Sequence, residues 1–101
     1  MRVSIETTDD AARERVTHLL QYFLNGHRED IESLQLEVAT SHNPLGTRLH
    51  RCRLRAQLWH GAPIEVEDVQ SHLDLAVTRA LERCTRTVRR RHAGSRQRHP
   101  A

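Results

Sequence analysis

The stretch Arg51–Leu58, RCRLRAQL, alternates polar and apolar residues without a break. Cys52, Leu54, Ala56 and Leu58 fall on one side, and Arg51, Arg53, Arg55 and Gln57 on the other. Successive side chains of a strand point to opposite faces, so this segment reads as a β-strand with one face buried and one in solvent. Such a strand cannot stand alone. Its backbone needs partner strands, and its apolar face needs a covering layer.

Partners are present on both sides in sequence. After a turn at His60-Gly61, Ile64 and Val66 continue the inward side, with Glu65 and Glu67 outward. Before it, Leu34, Leu36 and Val38 alternate with Gln35 and Glu37, and the turn-rich SHNPLGT lies between. At the N-terminus Val3 and Ile5 alternate with Arg2, Ser4 and Glu6, a short further strand.

The cover comes from two segments of helical period. Thr7-x-x-Asp10 reads as an N-cap with an acid three positions on, and Ala12, Val16, Leu19, Leu20 and Phe23 form one apolar face. Asn25-Gly26 suits the end of that helix. Ser71-x-x-Asp74 repeats the capping signal, and Leu73, Val77, Ala80, Leu81, Cys84 and Val88 form the second stripe. The order β-α-β-β-β-α implies an α+β two-layer sandwich: a four-stranded mixed sheet with both helices on one face. The first two strands, joined by a helix, should run parallel with a right-handed crossover, and strands two to four should form an antiparallel meander. With 101 residues there is room for one core. We assign residues 1–92 to a single domain and residues 93–101, which carry no stripe, to a basic disordered tail.

Composition excludes several classes. No apolar run approaches the roughly 20 residues of a spanning helix, and the N-terminus lacks the apolar stretch of a secretory signal, so a cytoplasmic location is expected. The two cysteines, Cys52 and Cys84, fit a reducing compartment, and the scattered histidines give no metal-ligand spacing. No phosphate-cradling glycine loop and no nucleophile–histidine–acid motif is found. An enzyme, a metal and a cofactor are therefore not expected.

The charge is unevenly placed. Residues 1–78 hold eight arginines against twelve acids, or −4; residues 79–101 hold eight arginines against one acid, or +7. Such polarity points to an anionic partner at one end. Arg51, Arg53 and Arg55 have Glu37, Glu65 and Glu67 on neighbouring strands and read as cross-strand ion pairs. Arg79, Arg83, Arg86 and Arg90 are different. At 100° per residue they share an arc of about 60° opposite the apolar stripe, with only Glu82 to offset them. Like charges on one helix face repel, so this row suits an anionic ligand better than bare solvent. Arg89, His92, Arg96 and Arg98 extend the field, while Arg91 falls on the core side of the helical wheel. Arginine pairs bidentately with phosphate. With so few aromatic residues, a single-strand stacking platform is disfavoured, and backbone and shape recognition of folded RNA fits better.

The ordered combination of Gly46, Arg51-Cys52, Pro63 with Val66, Leu73, Ala76-Val77, Ala80 and Arg83 resembles the short members of the ribosome hibernation-promoting factor family, also called ribosome-associated inhibitor or sigma-54 modulation proteins. The resemblance implies the same β-α-β-β-β-α fold. It implies a non-enzymatic factor that binds ribosomal RNA of the small ribosomal subunit in the decoding channel and idles translation in stress or stationary phase. By position, the implied RNA contacts are Arg79, Arg83, Arg86, Arg90 and Arg91, with His27 and Arg28 at the end of the first helix; Arg89 joins them from the charge pattern. No membrane, small-molecule substrate or cofactor is implied. The dimerisation domain of the longer members has no counterpart here, so a monomer is expected. The positions where the family often places a Tyr and an Asp on the second helix depart from the pattern, around His72, Leu73, Asp74 and Thr78. Two alternatives stay open: a general structured-RNA-binding module, and a protein-interaction module docking an acidic partner.

Overall fold

The alternating stretch is the centre of an eleven-residue strand, β3 (Arg48–Leu58), in the computed structural model, which describes residues 1–97. β2 (Ile31–His42) and β4 (Ile64–Gln70) flank it antiparallel, and β1 (Arg2–Glu6) runs parallel to β2. The sheet order is β1-β2-β3-β4, the expected meander with one parallel edge. α1 (Asp10–Phe23) provides the crossover between the parallel strands, and α2 (Leu73–Gln97) follows β4.

Both helices bury their stripes against the same sheet face. Cys52, Leu54, Ala56 and Leu58 meet Leu34, Leu36 and Val38 from β2 and Ile64 from β4; Val16 and Leu20 of α1 and Val77, Ala80, Leu81, Cys84 and Val88 of α2 close the core. Each fully buried Leu, Ile or Val contributes about 1.5–3 kcal/mol, so this one layer of contact dominates stability. On the opposite face Arg53 pairs with Glu67 at 3.4 Å and Arg55 with Glu65 at 2.9 Å, each directly across the β3–β4 ladder. The cross-strand neutralisation read from the sequence is therefore present for Arg53 and Arg55, whereas Arg51, opposite Val69, and Glu37 form no ion pair among the described residues.

Several local expectations are corrected. The α1 cap is Asp9, not Thr7. The Asp9 carboxylate accepts from the backbone N–H of Ala11 at 2.9 Å and Ala12 at 3.4 Å, and the Thr7 hydroxyl accepts from Asp9 N–H instead. A helix begun at Thr7 would place β-branched Thr8 and Asp9 in its first turn, both weak helix formers. At α2 the first helical carbonyl belongs to His72, which accepts from Ala76 N–H, rather than to Ser71. β4 continues to Gln70, so the reversal uses both following residues. Phe23, expected in the core, is only half-buried; Leu24, just beyond the helix, and Ile31, at the start of β2, are buried in the core instead. Val3 is 46% exposed because β1 is an edge strand, and only Ile5 packs on the core from it.

The segment expected to be a tail from residue 93 is helical through Gln97. Ala93, Arg96 and Gln97 favour helix, one Gly costs only about 1 kcal/mol, and no proline intervenes before Pro100. Arg98 lies outside the described residues. Among the described residues no helix is long and apolar enough to cross a membrane.

The cap assignment gives a direct expectation. Asp9→Ala should lower unfolding stability by about 1 kcal/mol in denaturant titration, while Thr7→Ala should change it by less than about 0.5 kcal/mol. The reverse order would return the cap to Thr7.

Candidate nucleic-acid interface

The arginines of α2 separate into two sets. Arg83 donates from Nη1 to the Glu67 carbonyl at 3.1 Å and lies 3.7 Å from Asp68 Oδ2. Arg91 donates from Nη1 to the Ala62 carbonyl, in the turn before β4. These two tie α2 to the edge strand and its turn. The helical wheel puts Arg91 on the core side; past the end of the core that side meets the β3–β4 turn, where a guanidinium finds a carbonyl. Arg79, Arg86, Arg89 and Arg90 are exposed, and among the described residues none forms an ion pair with a carboxylate. Arg90 reaches only the Thr87 hydroxyl on its own helix, at 3.2 Å.

The cations of α1 are also engaged within the fold. Arg13 donates to the carbonyls of Ile5 at 2.6 Å and Thr7 at 3.2 Å. Arg15 grips Asp74 with two nitrogens, Nε at 3.1 and 3.0 Å and Nη2 at 2.6 Å, which fastens α1 to the first turn of α2. The Arg15 hydrogen bonds hold the Asp74 carboxyl below its usual range, and the same bonds raise Arg15. The acid expected in the capping signal of α2 instead anchors the helix pair.

Of the grooves that border α2, two are lined by Arg86. One, of about 1010 Å³, lies between α1 and α2 and is lined by His18, Tyr22, His27, Glu82, Arg86 and Arg89 among others. The other, of about 430 Å³, lies between α2 and β4 and includes Arg83, Arg86, Arg90 and Arg91. Arg86 lines both, so it stands on the ridge between them. His27 lines the same groove as Arg86 and Arg89. Arg28, expected to act with it, is exposed on the α1–β2 loop and lines neither groove. His92 sits 3.9 Å from Asp30 at the far end of the helix pair. Sequence reasoning misses His18 as a groove residue, and counts Tyr22 only among the chain's scarce aromatics. Both lie on the flank of α1 away from its buried stripe, so their meeting with α2 depends on how the helices pack.

Elsewhere the chemistry differs. The concavity on the outer sheet face is lined by Glu6, Glu37, Arg53, Arg55, Glu65 and Glu67, a mixed set already paired in part. Cys52 and Cys84 are free thiols within the core. Burial pushes Cys52 up to about 12, with Asp68 adding to it, and Cys84 up to about 11 against the pull of Arg91. Neither reaches a groove as a thiolate nucleophile. Among the described residues no group of three His, Cys, Asp or Glu could hold a metal ion.

No family model matches the chain, and no curated protein matches it. Solved structures do. The N-terminal domain of Protein Y from Thermus thermophilus aligns with a TM-score of 0.60 and 23% identity, covering 89% of this chain and 98% of that one. A ribosomal subunit interface protein from Coxiella burnetii aligns with a TM-score of 0.63 and 13% identity, covering 91% and 96%. The chain shares their fold. At these identities the likeness concerns the backbone architecture, and the side chains of the interface have to be judged on this chain's own geometry.

The Arg15–Asp74 bridge carries a pH signature. A carboxyl whose folded pKa is depressed contributes stability above its unfolded pKa and loses it as pH falls through the folded value. Asp74→Asn should therefore be less stable than the parent at neutral pH, with the gap closing as pH drops below the ordinary carboxylate range. A gap of equal size at acidic and neutral pH in parallel thermal melts would remove the ion pair from the account.

Proposed function

We propose that this chain is a non-enzymatic, ribosome-associated factor of the ribosome hibernation-promoting family. It acts in the cytoplasm, binds ribosomal RNA of the small subunit through the outer face of α2, and thereby inhibits or idles translation. The observation that carries the reading is the uncompensated set Arg79, Arg86, Arg89 and Arg90 on a fold shared with a ribosomal subunit interface protein. Four exposed guanidinium groups on one helix oppose each other in the absence of an anion, and each can fork onto phosphate oxygens. The position of Arg86 between two grooves suits a backbone that crosses α2. His27 adds a donor from the end of α1, and Arg28 extends the field over the loop. Arg83 and Arg91 serve first to seat the helix, and their charge adds to the same basic side. The chain acts as a single domain, residues 1–92, with the rest of α2 and residues 98–101 as a basic extension. It works as a monomer and uses no metal or cofactor.

A general structured-RNA module would use the same cations, so the test has to compare RNAs. The protein should co-sediment with small subunits in extracts of starved cells at low salt and resist competition by bulk duplex RNA. Arg86→Glu with Arg90→Glu should release it, and should flatten the salt dependence by about 0.7–0.9 log units for each phosphate that is no longer neutralised. Free protein at the top of the gradient would contradict the reading, and equal displacement by duplex RNA would reduce it to the general module.

A further inference from the structure

The α1–α2 groove holds one feature that phosphate binding alone leaves unused. Tyr22 is 79% exposed although it lines the groove, and its ring stands edge-to-face with Phe23, centroids 5.4 Å apart at 78°. Phe23 is partly buried against the core, so this contact braces the Tyr22 ring from one side and leaves most of its surface open. Arg86 and Arg89 line the same groove from α2, and His18 and His27 are among its walls. An exposed aromatic face and two unpaired guanidinium groups lining one groove suit a nucleotide, which presents a flat base and an anion together. A regular duplex keeps its bases stacked inside and offers the groove only phosphate and sugar.

We propose that the α1–α2 groove captures a single unpaired nucleotide of the bound RNA, its base stacked on Tyr22 and its phosphate held by Arg86 and Arg89. One stacking residue does not make a single-strand platform. It makes one read-out point within an interface that otherwise recognises backbone. The inference rests on the RNA-binding reading above, and it assigns to that interface a preference for RNA with a bulged or looped-out base. An acidic peptide would use the same arginines but gains little from a bare tyrosine ring.

The test uses the full chain and two RNA hairpins that differ by one bulged nucleotide. The parent should bind the bulged hairpin more tightly than the fully paired one. Tyr22→Ala should weaken binding to the bulged hairpin by roughly tenfold, the usual effect of losing one base–aromatic stack, and leave the paired hairpin unchanged. Tyr22→Phe should retain the preference. Because Tyr22 is largely exposed, these variants should melt as the parent does. Equal affinity of the parent for both hairpins, or a Tyr22→Ala variant that keeps the preference, overturns the stacking site. If Arg86→Glu still weakens both hairpins in that case, RNA binding by α2 stands without it. If the parent binds neither hairpin but binds small-subunit ribosomal RNA, the stacking site alone falls; if it binds none of these, the RNA reading falls and the stacking site with it.

Discussion

The inward face of β3 is the constraint on which the rest depends. Cys52, Leu54, Ala56 and Leu58 present a flat apolar surface that α2 must cover, and α2 does so with Val77, Ala80, Leu81, Cys84 and Val88. That contact fixes which side of α2 faces outward. It also lets the helix carry a charge pattern that would weaken it in isolation. Like-charge pairs one turn apart cost about 0.2–0.5 kcal/mol each, whereas every buried Leu or Val of the stripe contributes about 1.5–3 kcal/mol. The repulsion among exposed arginines is thus small beside the packing beneath them, and binding an anion relieves it.

Three polar contacts refine this arrangement. Arg83 and Arg91 fasten α2 to β4 and to the turn before it, at two points about two helical turns apart along the helix. Arg15 and Asp74 fasten the start of α2 to α1. Together they hold a helix whose far end runs beyond the sheet. They also explain why a basic protein offers fewer free cations than its composition suggests. On α1 and the sheet face the arginines Arg13, Arg15, Arg53 and Arg55 are satisfied internally; Arg28, Arg48 and Arg51 stand singly without an ion pair among the described residues, whereas Arg79, Arg86, Arg89 and Arg90 share one helix.

Most of the architecture is legible in the sequence because two periods carry it. The two-residue alternation at Leu34–Val38, Cys52–Leu58 and Ile64–Val66 and the helical stripes determine element type, order and inner face. Element ends are less legible. Thr7 and Asp9 are both competent caps for α1, and Ser71 is one for α2, yet α1 starts from Asp9 and α2 from His72, a choice that turns on where the preceding strand releases the chain. Leu24 continues the four-residue spacing of the buried Ala12, Val16 and Leu20 with helical backbone at the C-cap, and only the placing of Phe23 as the last stripe residue hides it. The binding side of α2 is readable as a row, but not the division within it. Whether an arginine meets a carbonyl on another element, as Arg83 and Arg91 do, depends on tertiary placement that spacing does not encode. The groove around Tyr22 is hidden for the same reason, since it is made by two helices far apart in sequence.

The central claim is that the outer face of α2, and not the sheet face, meets RNA. Arginine side-chain Nε–H resonances, followed by NMR while small-subunit ribosomal RNA fragments are added, test it residue by residue. The account predicts shifts concentrated at Arg79, Arg86, Arg89 and Arg90, with Arg53 and Arg55 unmoved in their pairs with Glu67 and Glu65. Shifts confined to Arg53 and Arg55, with the α2 set unchanged, would contradict it.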